Sequence, residues 1–127
     1  MRFAMQNVAF DCANAYELAT FWSKVMEWPL DDEDAPGVPE AVAIAPDGGT
    51  NLYFNEVPEP KAGKNRVHVC LRPSGHRDAE LERLLGLGAT MVADLREGDH
   101  TSWAVLADPE GNEFCLLRGD ADRAGQG

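Results

Sequence analysis

The sequence predicts an α+β fold built from two tandem copies of one module, each a strand, a helix and then two or three further strands. Three observations carry this. The run D-P-E-G-N-E-F-C-L (Asp108 to Leu116) is a turn followed by a strand, and A-P-D-G-G-T-N-L-Y-F-N (Ala45 to Asn55) repeats that plan. Each half also contains one segment whose apolar residues recur at helical spacing. Finally, the offset between halves is nearly constant: His68 follows Asn7 by 61 residues, Phe114 follows Phe54 by 60, Cys115 follows Asn55 by 60, and Leu81 follows Leu18 by 63. A repeat that uses every element is stronger evidence than any single propensity.

Phe3 to Cys12 alternates as a strand does, with Met5, Asn7, Ala9 and Asp11 on one face and Gln6, Val8, Phe10 and Cys12 on the other. Asn14 follows as a helix N-cap with Glu17 at capping-box spacing. Leu18, Phe21, Trp22, Val25 and Met26 then form one apolar stripe, and Pro29 ends the helix. Asp31 to Glu40 is a charged, proline-rich loop. Its adjacent acids lack the alternate-position oxygens of a calcium loop, so they read as solvated. Ala41 to Ala45 is a short strand, Pro46 to Gly49 a turn and Thr50 to Val57 a strand.

Pro58 to Lys64 has the composition of a connector. Beyond it, Arg66 to Arg72 is a strand, Pro73 to Arg77 a loop, and Asp78 to Leu87 a helix with Leu81, Leu84 and Leu85 inward. Gly88 stops that helix at positive φ. Thr90 to Leu95, Thr101 to Ala107 and Glu113 to Arg118 are three strands. In the last turn Pro109 presets φ, Gly111 or Asn112 takes a positive φ, and Asp108 bonds the backbone ahead of it. The organisation is one domain over residues 1–118, with module one at 1–57, the connector at 58–64 and module two at 65–118. A small, polar, flexible tail follows at 119–127.

With 127 residues and 44% apolar composition, the chain can bury one real core but not two independent ones. Its net charge of −11 argues against a nucleic-acid or anionic-membrane surface, which would need a basic footprint, and is compatible with a cationic ligand. M-R-F-A-M-Q-N does not read as a signal peptide, and nowhere are there about 18 consecutive apolar residues, so a cytoplasmic protein is expected. Cys12, Cys70 and Cys115 are odd in number and far apart in sequence, with no C-x-x-C pair, which speaks against a disulfide framework.

Three runs, V-A-F-D-C-A-N-A-Y-E-L-A-T-F-W (Val8 to Trp22), V-P-E-P-K-A-G-K-N-R-V-H (Val57 to His68) and W-A-V-L-A-D-P-E-G-N-E-F-C-L (Trp103 to Leu116), resemble the vicinal oxygen chelate superfamily. That superfamily includes glyoxalase I, extradiol dioxygenases and bleomycin-resistance proteins, and the likeness is closest to small bacterial glyoxalase-like proteins. The resemblance implies two βαβββ modules forming a curved, eight-stranded mixed sheet around a cup, with the helices outside. In metal-dependent members it also implies four ligands in the cup, usually His and Glu or Gln, whose metal supplies Lewis-acid chemistry. Many relatives pair as two-fold dimers, so a homodimer is a partner the resemblance brings with it.

Carried onto this chain by motif, those four positions are Asn7, Asn55, His68 and Cys115. Only His68 is a usual ligand. Asn7 and Asn55 offer neutral amide oxygens, and one His with one Cys makes two good ligands where a catalytic zinc has three plus water. No metal or other cofactor is therefore favoured. His68 reads either as a catalytic acid/base facing the cup or as a strand histidine that bonds a neighbour. Cys115 reads either as a ligand-binding thiol or as a small buried apolar residue. Asn7 and Asn55 are candidate hydrogen-bonders to a ligand, and Trp103 is an aromatic wall or plain strand packing. His76 and His100 fall in expected loops, Trp22 and Trp28 read as packing, and Glu56, Glu59, Lys61 and Lys64 read as surface charges. The favoured function is a metal-free cup that binds a small organic molecule, with lyase- or isomerase-type turnover through His68 left open. The alternatives are a metal-dependent lyase or dioxygenase of glyoxalase I type and an antibiotic-sequestering resistance protein.

Overall fold

The alternation at the start of the chain becomes a strand only over its second half, β1 (Asn7–Cys12), in the computed structural model, which describes residues 2–96 and 103–124. The reason is the length of its neighbour. β1 runs parallel to β3 (Asn51–Glu56), and Asn7 is already opposite Asn51, the first residue of β3. Phe3 and Met5, which precede the ladder, are left exposed. β2 (Glu40–Ala43) pairs antiparallel on the other side of β3, so the first sheet has the order β1-β3-β2.

α1 (Ala15–Met26) begins where the capping residues require. The Asn14 side chain accepts the Glu17 N–H at 3.1 Å, and Glu56 Oε2 accepts the Ala15 N–H at 3.0 Å from the end of β3. The latter contradicts the reading of Glu56 as a surface charge: it satisfies a helix-end donor that no helical carbonyl can reach. The helix ends at Glu27, which turns left-handed two residues before Pro29. α1 lies on β2 and β3. Leu18 and Trp22 are fully buried, and Phe10 stacks 5.5 Å from Trp22 and 5.1 Å from Phe54. Trp22 is thus core, as its place in the apolar stripe predicts.

One expected strand is absent among the described residues. The eight-stranded sheet implied by the resemblance needs a strand between α1 and β2, and there the chain makes only a single bridge, Leu30 to Ala43. Pro29 has no N–H to offer a ladder. The following acids fold back on the backbone instead, Asp34 Oδ2 accepting the N–H groups of both Asp31 and Val42.

The chain divides between Ala62 and Gly63, inside the expected connector, into units Met1–Ala62 and Gly63–Gly127. The second holds β4 (Cys70–Leu71), α2 (Arg77–Leu87), β5 (Thr90–Leu95), β6 (Trp103–Ala107) and β7 (Glu113–Leu116), then α3 (Asp120–Ala124). Its sheet order is β4-β7-β6-β5, with β4 parallel to β7 and the other pairs antiparallel. Phe114, Leu116, Ala104 and Leu106 point to the buried face, and Leu81 and Leu84 of α2 are buried with them, while Leu85 is half-buried. Gly88 ends α2 at φ 118°. Residues 101–102 of the expected sixth strand lie outside the described residues.

The turn before β7 closes as its sequence dictates. Asp108 is buried, and its carboxylate accepts the N–H groups of Glu110 and Asn112 and the Asn112 side-chain amide, while Gly111 takes φ 87°. The region after β7 departs from the expected flexible tail over its described part, and residues 125–127 of that tail lie outside the described residues. α3 forms, and Asp122 accepts the Arg77 N–H at 2.8 Å and the Gly119 N–H at 2.7 Å, so it caps the start of α2 from 45 residues away. Small polar residues suggested fraying, but a carboxylate with two orphan amides to satisfy holds the segment down. No helix among the described residues is long and apolar enough to cross a membrane.

Candidate functional site

In a strand, residues two apart share a face, and partners across a ladder share it as well. Cys70 is the ladder partner of Cys115, so these two side chains share one face of the second sheet, and His68, two residues before Cys70 and outside the ladder, reaches both sulfurs. His68 Nδ1 lies 3.7 Å from Cys115 Sγ and 4.0 Å from Cys70 Sγ, and the three donor atoms all fall within 4.8 Å of one another. Cys115 is buried, whereas His68 and Cys70 are exposed.

The backbone that carries His68 is not held by a ladder, which corrects the expected strand over Arg66 to Arg72. β4 has shrunk to Cys70–Leu71 at the sheet edge. Upstream of it a reciprocal clamp takes over: the Asn65 N–H donates to Glu113 Oε1 and the Glu113 N–H donates to Asn65 Oδ1. Lys64 Nζ adds a 3.7 Å ion pair to the same carboxylate. Val69 O still accepts the Cys115 N–H, so His68 sits between clamp and ladder with its side chain over β7.

Burial pushes the Cys115 thiol above its ordinary pKa, the neighbouring Cys70 adds to this, and the Lys64 charge pulls the other way. Cys115 Sγ and His68 Nδ1 are hydrogen-bond partners whose direction follows the imidazole tautomer: with the ring proton on Nε2, the thiol donates to Nδ1 and the ring presents an N–H outward, where no group bonds it among the described residues.

The other expected site residues are distributed differently. Asn7 and Asn55 share the face of the first sheet opposite Phe10 and Phe54, but they do not converge. Asn7 stands opposite Asn51, and Asn55 stands opposite Asp11 four rungs further on, about 13 Å away along the strands at about 3.3 Å per residue. Asn7 is exposed and Asn55 half-buried. That face also carries Tyr53, whose hydroxyl donates to Glu40. Trp103 shares the face of Cys115, since its neighbour two along, Val105, is opposite Cys115. It lies on the far side of Cys115 from His68 and is half-buried. His76 occupies the N-cap position of α2 and pairs with Asp122 at 3.0 Å, and His100 lies outside the described residues. The four-residue ligand set implied by the resemblance therefore does not fit: two of its members are neutral amides that face different rungs.

Cys70 is the residue that sequence reasoning missed. The signal was present in H-x-C: alternation puts Cys70 on the face of His68 wherever that face points.

Each unit carries a strand–helix–strands module, which is the architecture that the resemblance to the vicinal oxygen chelate superfamily implies. The chain belongs to the glyoxalase-like domain family, whose model matches residues 7–117. Among solved structures it resembles a glyoxalase/bleomycin resistance protein/dioxygenase family enzyme from Burkholderia phytofirmans PsJN, at 16% identity over 90% of this chain and 97% of that one, with a TM-score of 0.69. A glyoxalase family protein from Bacillus cereus is similar at 16% identity over 91% and 93%, TM-score 0.68. A fosfomycin resistance protein from Listeria monocytogenes, complexed with Mn(II) and 1S,2S-dihydroxypropylphosphonic acid, is similar at 14% identity over 98% of each chain, TM-score 0.70. No curated protein sequence matches the chain.

Proposed function

We propose that this glyoxalase-like protein binds a small organic molecule at the exposed edge of its second sheet, with His68 as the group that exchanges a hydrogen bond or proton with it. One observation carries the reading: His68 is exposed, its Nδ1 is engaged by thiols, and its Nε2 is left for a ligand. Such an arrangement holds the ring from behind, which is what a general acid or an orienting donor requires. Trp103, on the same face, supplies apolar surface beyond Cys115. The acidic chain favours a cationic or neutral ligand over an anion.

The test is a thermal-shift screen of small cationic and neutral organic molecules against the metal-free chain, repeated on His68→Gln. Molecules that stabilise the wild type should lose at least about tenfold in affinity on the variant, about 1.4 kcal/mol, as expected for one hydrogen bond to a ligand. Hits whose affinity is the same in both proteins, with NMR shifts distant from residue 68, would refute the assignment. If a hit is turned over, His68→Gln should lower the rate far more than the affinity. A sequestering protein would show no rate to lose.

A further inference from the structure

We infer that His68, Cys70 and Cys115 form a three-donor site for Zn²⁺ within the second unit, which shares His68 and Cys115 with the four positions that the resemblance implies but takes its third donor from the Cys70 thiolate in place of the Asn7 and Asn55 oxygens. The donor list is one imidazole nitrogen and two sulfurs. Soft thiolates with imidazole select zinc over the hard ions that carboxylate and amide oxygens hold, and three protein donors are the number that leaves zinc one exchangeable position.

The spacing fits before any ion arrives. Zinc bonds of about 2.3 Å to sulfur and about 2.0 Å to nitrogen, at tetrahedral angles, place N and S about 3.6 Å apart and two sulfurs about 3.8 Å apart. His68 Nδ1 is already 3.7 Å from Cys115 Sγ and 4.0 Å from Cys70 Sγ, and no pair in the cluster exceeds 4.8 Å. Movements of a few tenths of an ångström, up to about 1 Å for the sulfur pair, complete the geometry. Cys70 and Cys115 are locked as ladder partners, and His68 is steadied by the Asn65–Glu113 clamp upstream.

The charge balance agrees. Both cysteines bind as thiolates, their two protons passing to solvent, so the loaded site is neutral overall. Because His68 and Cys70 are exposed, the fourth zinc ligand comes from solvent or from a solute with a soft or nitrogen donor. The site needs nothing from Asn7 or Asn55 and stands whether or not the small-molecule reading holds.

The experiment uses the full chain, reduced and stripped of metal, with all three thiols counted by a thiol reagent. Titration with Zn²⁺ against a competing chelating indicator should give one ion per chain. Co²⁺ should give a near-ultraviolet thiolate-to-metal charge-transfer band and the visible bands of a tetrahedral ion. Cys70→Ser, at an exposed position where folding is safe, should weaken Zn²⁺ binding by more than about 100-fold and remove about half of the charge-transfer intensity, a larger loss than removing an outer hydrogen-bond partner causes. Cys115→Ser and His68→Ala should weaken binding similarly, the latter keeping the sulfur band, while His76→Gln should change nothing. No stoichiometric binding by fully reduced protein would overturn the inference. So would binding that survives Cys70→Ser, or a cobalt spectrum without a sulfur band.

Discussion

Replacing Asp122 should unfasten the start of α2. Its Oδ2 accepts the Arg77 and Gly119 N–H groups at 2.8 and 2.7 Å, and its Oδ1 meets His76 Nδ1 at 3.0 Å. Hydrogen bonds to a charged group contribute about 1.5–3 kcal/mol where partly buried, and loss of an N-cap costs about 1 kcal/mol. The exposed His76 pair adds less than about 1 kcal/mol. Asp122→Ala should therefore cost about 2–3 kcal/mol, and Asp122→Asn, which keeps one acceptor, about 1 kcal/mol. The carboxyl gives an independent check. The Arg77 amide, with further help from His76 and Gly119, holds its pKa down at about 2, against an ordinary 3.8. A folded-state pKa below the unfolded one means that the stabilisation is complete above about pH 4 and is lost as pH falls toward 2. With solvent screening, that window contains about 1–2 kcal/mol. Urea midpoints at pH 7 and pH 3, together with amide hydrogen exchange at Arg77 and Gly119, would measure both quantities. If Asp122→Ala leaves Arg77 protection unchanged and shifts stability by less than about 0.5 kcal/mol, the carboxylate does not stabilise the start of α2.

Three other outcomes follow from the same reasoning. Gly119→Ala would place a Cβ 1.9 Å from Gly75 O and 3.1 Å from Pro73 O, both backbone atoms that cannot swing aside, so it should cost about 2 kcal/mol or more by chemical denaturation. Trp22→Ala, at a fully buried ring packed on Phe10 and Phe21, should cost about 3–5 kcal/mol in the same measurement, and Trp22→Phe clearly less. In the metal-free native chain, iodoacetamide should modify exposed Cys70 at least about tenfold faster than buried Cys115, and Lys64→Gln should slow Cys115 further by removing the charge that favours its thiolate. Peptide mapping of timed samples reads both.

Much of the architecture was legible because it rests on local chemistry. Asn14 with Glu17, Gly88, and the Asp108–Asn112 turn each satisfy a backbone need within a few residues, and the sequence displays them directly. The contacts that escaped reading are long-range. Glu56 on Ala15, Asp122 on Arg77 and Glu113 on Asn65 join residues 41 to 48 apart, and a charged side chain in a polar stretch looks the same whether it meets water or a distant amide. The site shows the same division. His68 and Cys115 were singled out through the motif resemblance, whereas Cys70 became visible as their companion only once the β4–β7 register placed it opposite Cys115. Asn7 and Asn55 stand four rungs apart for a related reason: an offset between modules does not set which rungs face each other within one.

The two carboxylate caps bear on the order in which the chain matures as it is made. The first N–H of α1 waits for Glu56, 41 residues later, and that of α2 waits for Asp122, 45 residues later. In each half, the residue that closes the helix end comes from the chain leaving the last strand. During synthesis the first half can therefore shut while the second is still emerging. The second half closes only after Asp122 has been made, so a stop codon just past β7 would leave α2 open at its first turn.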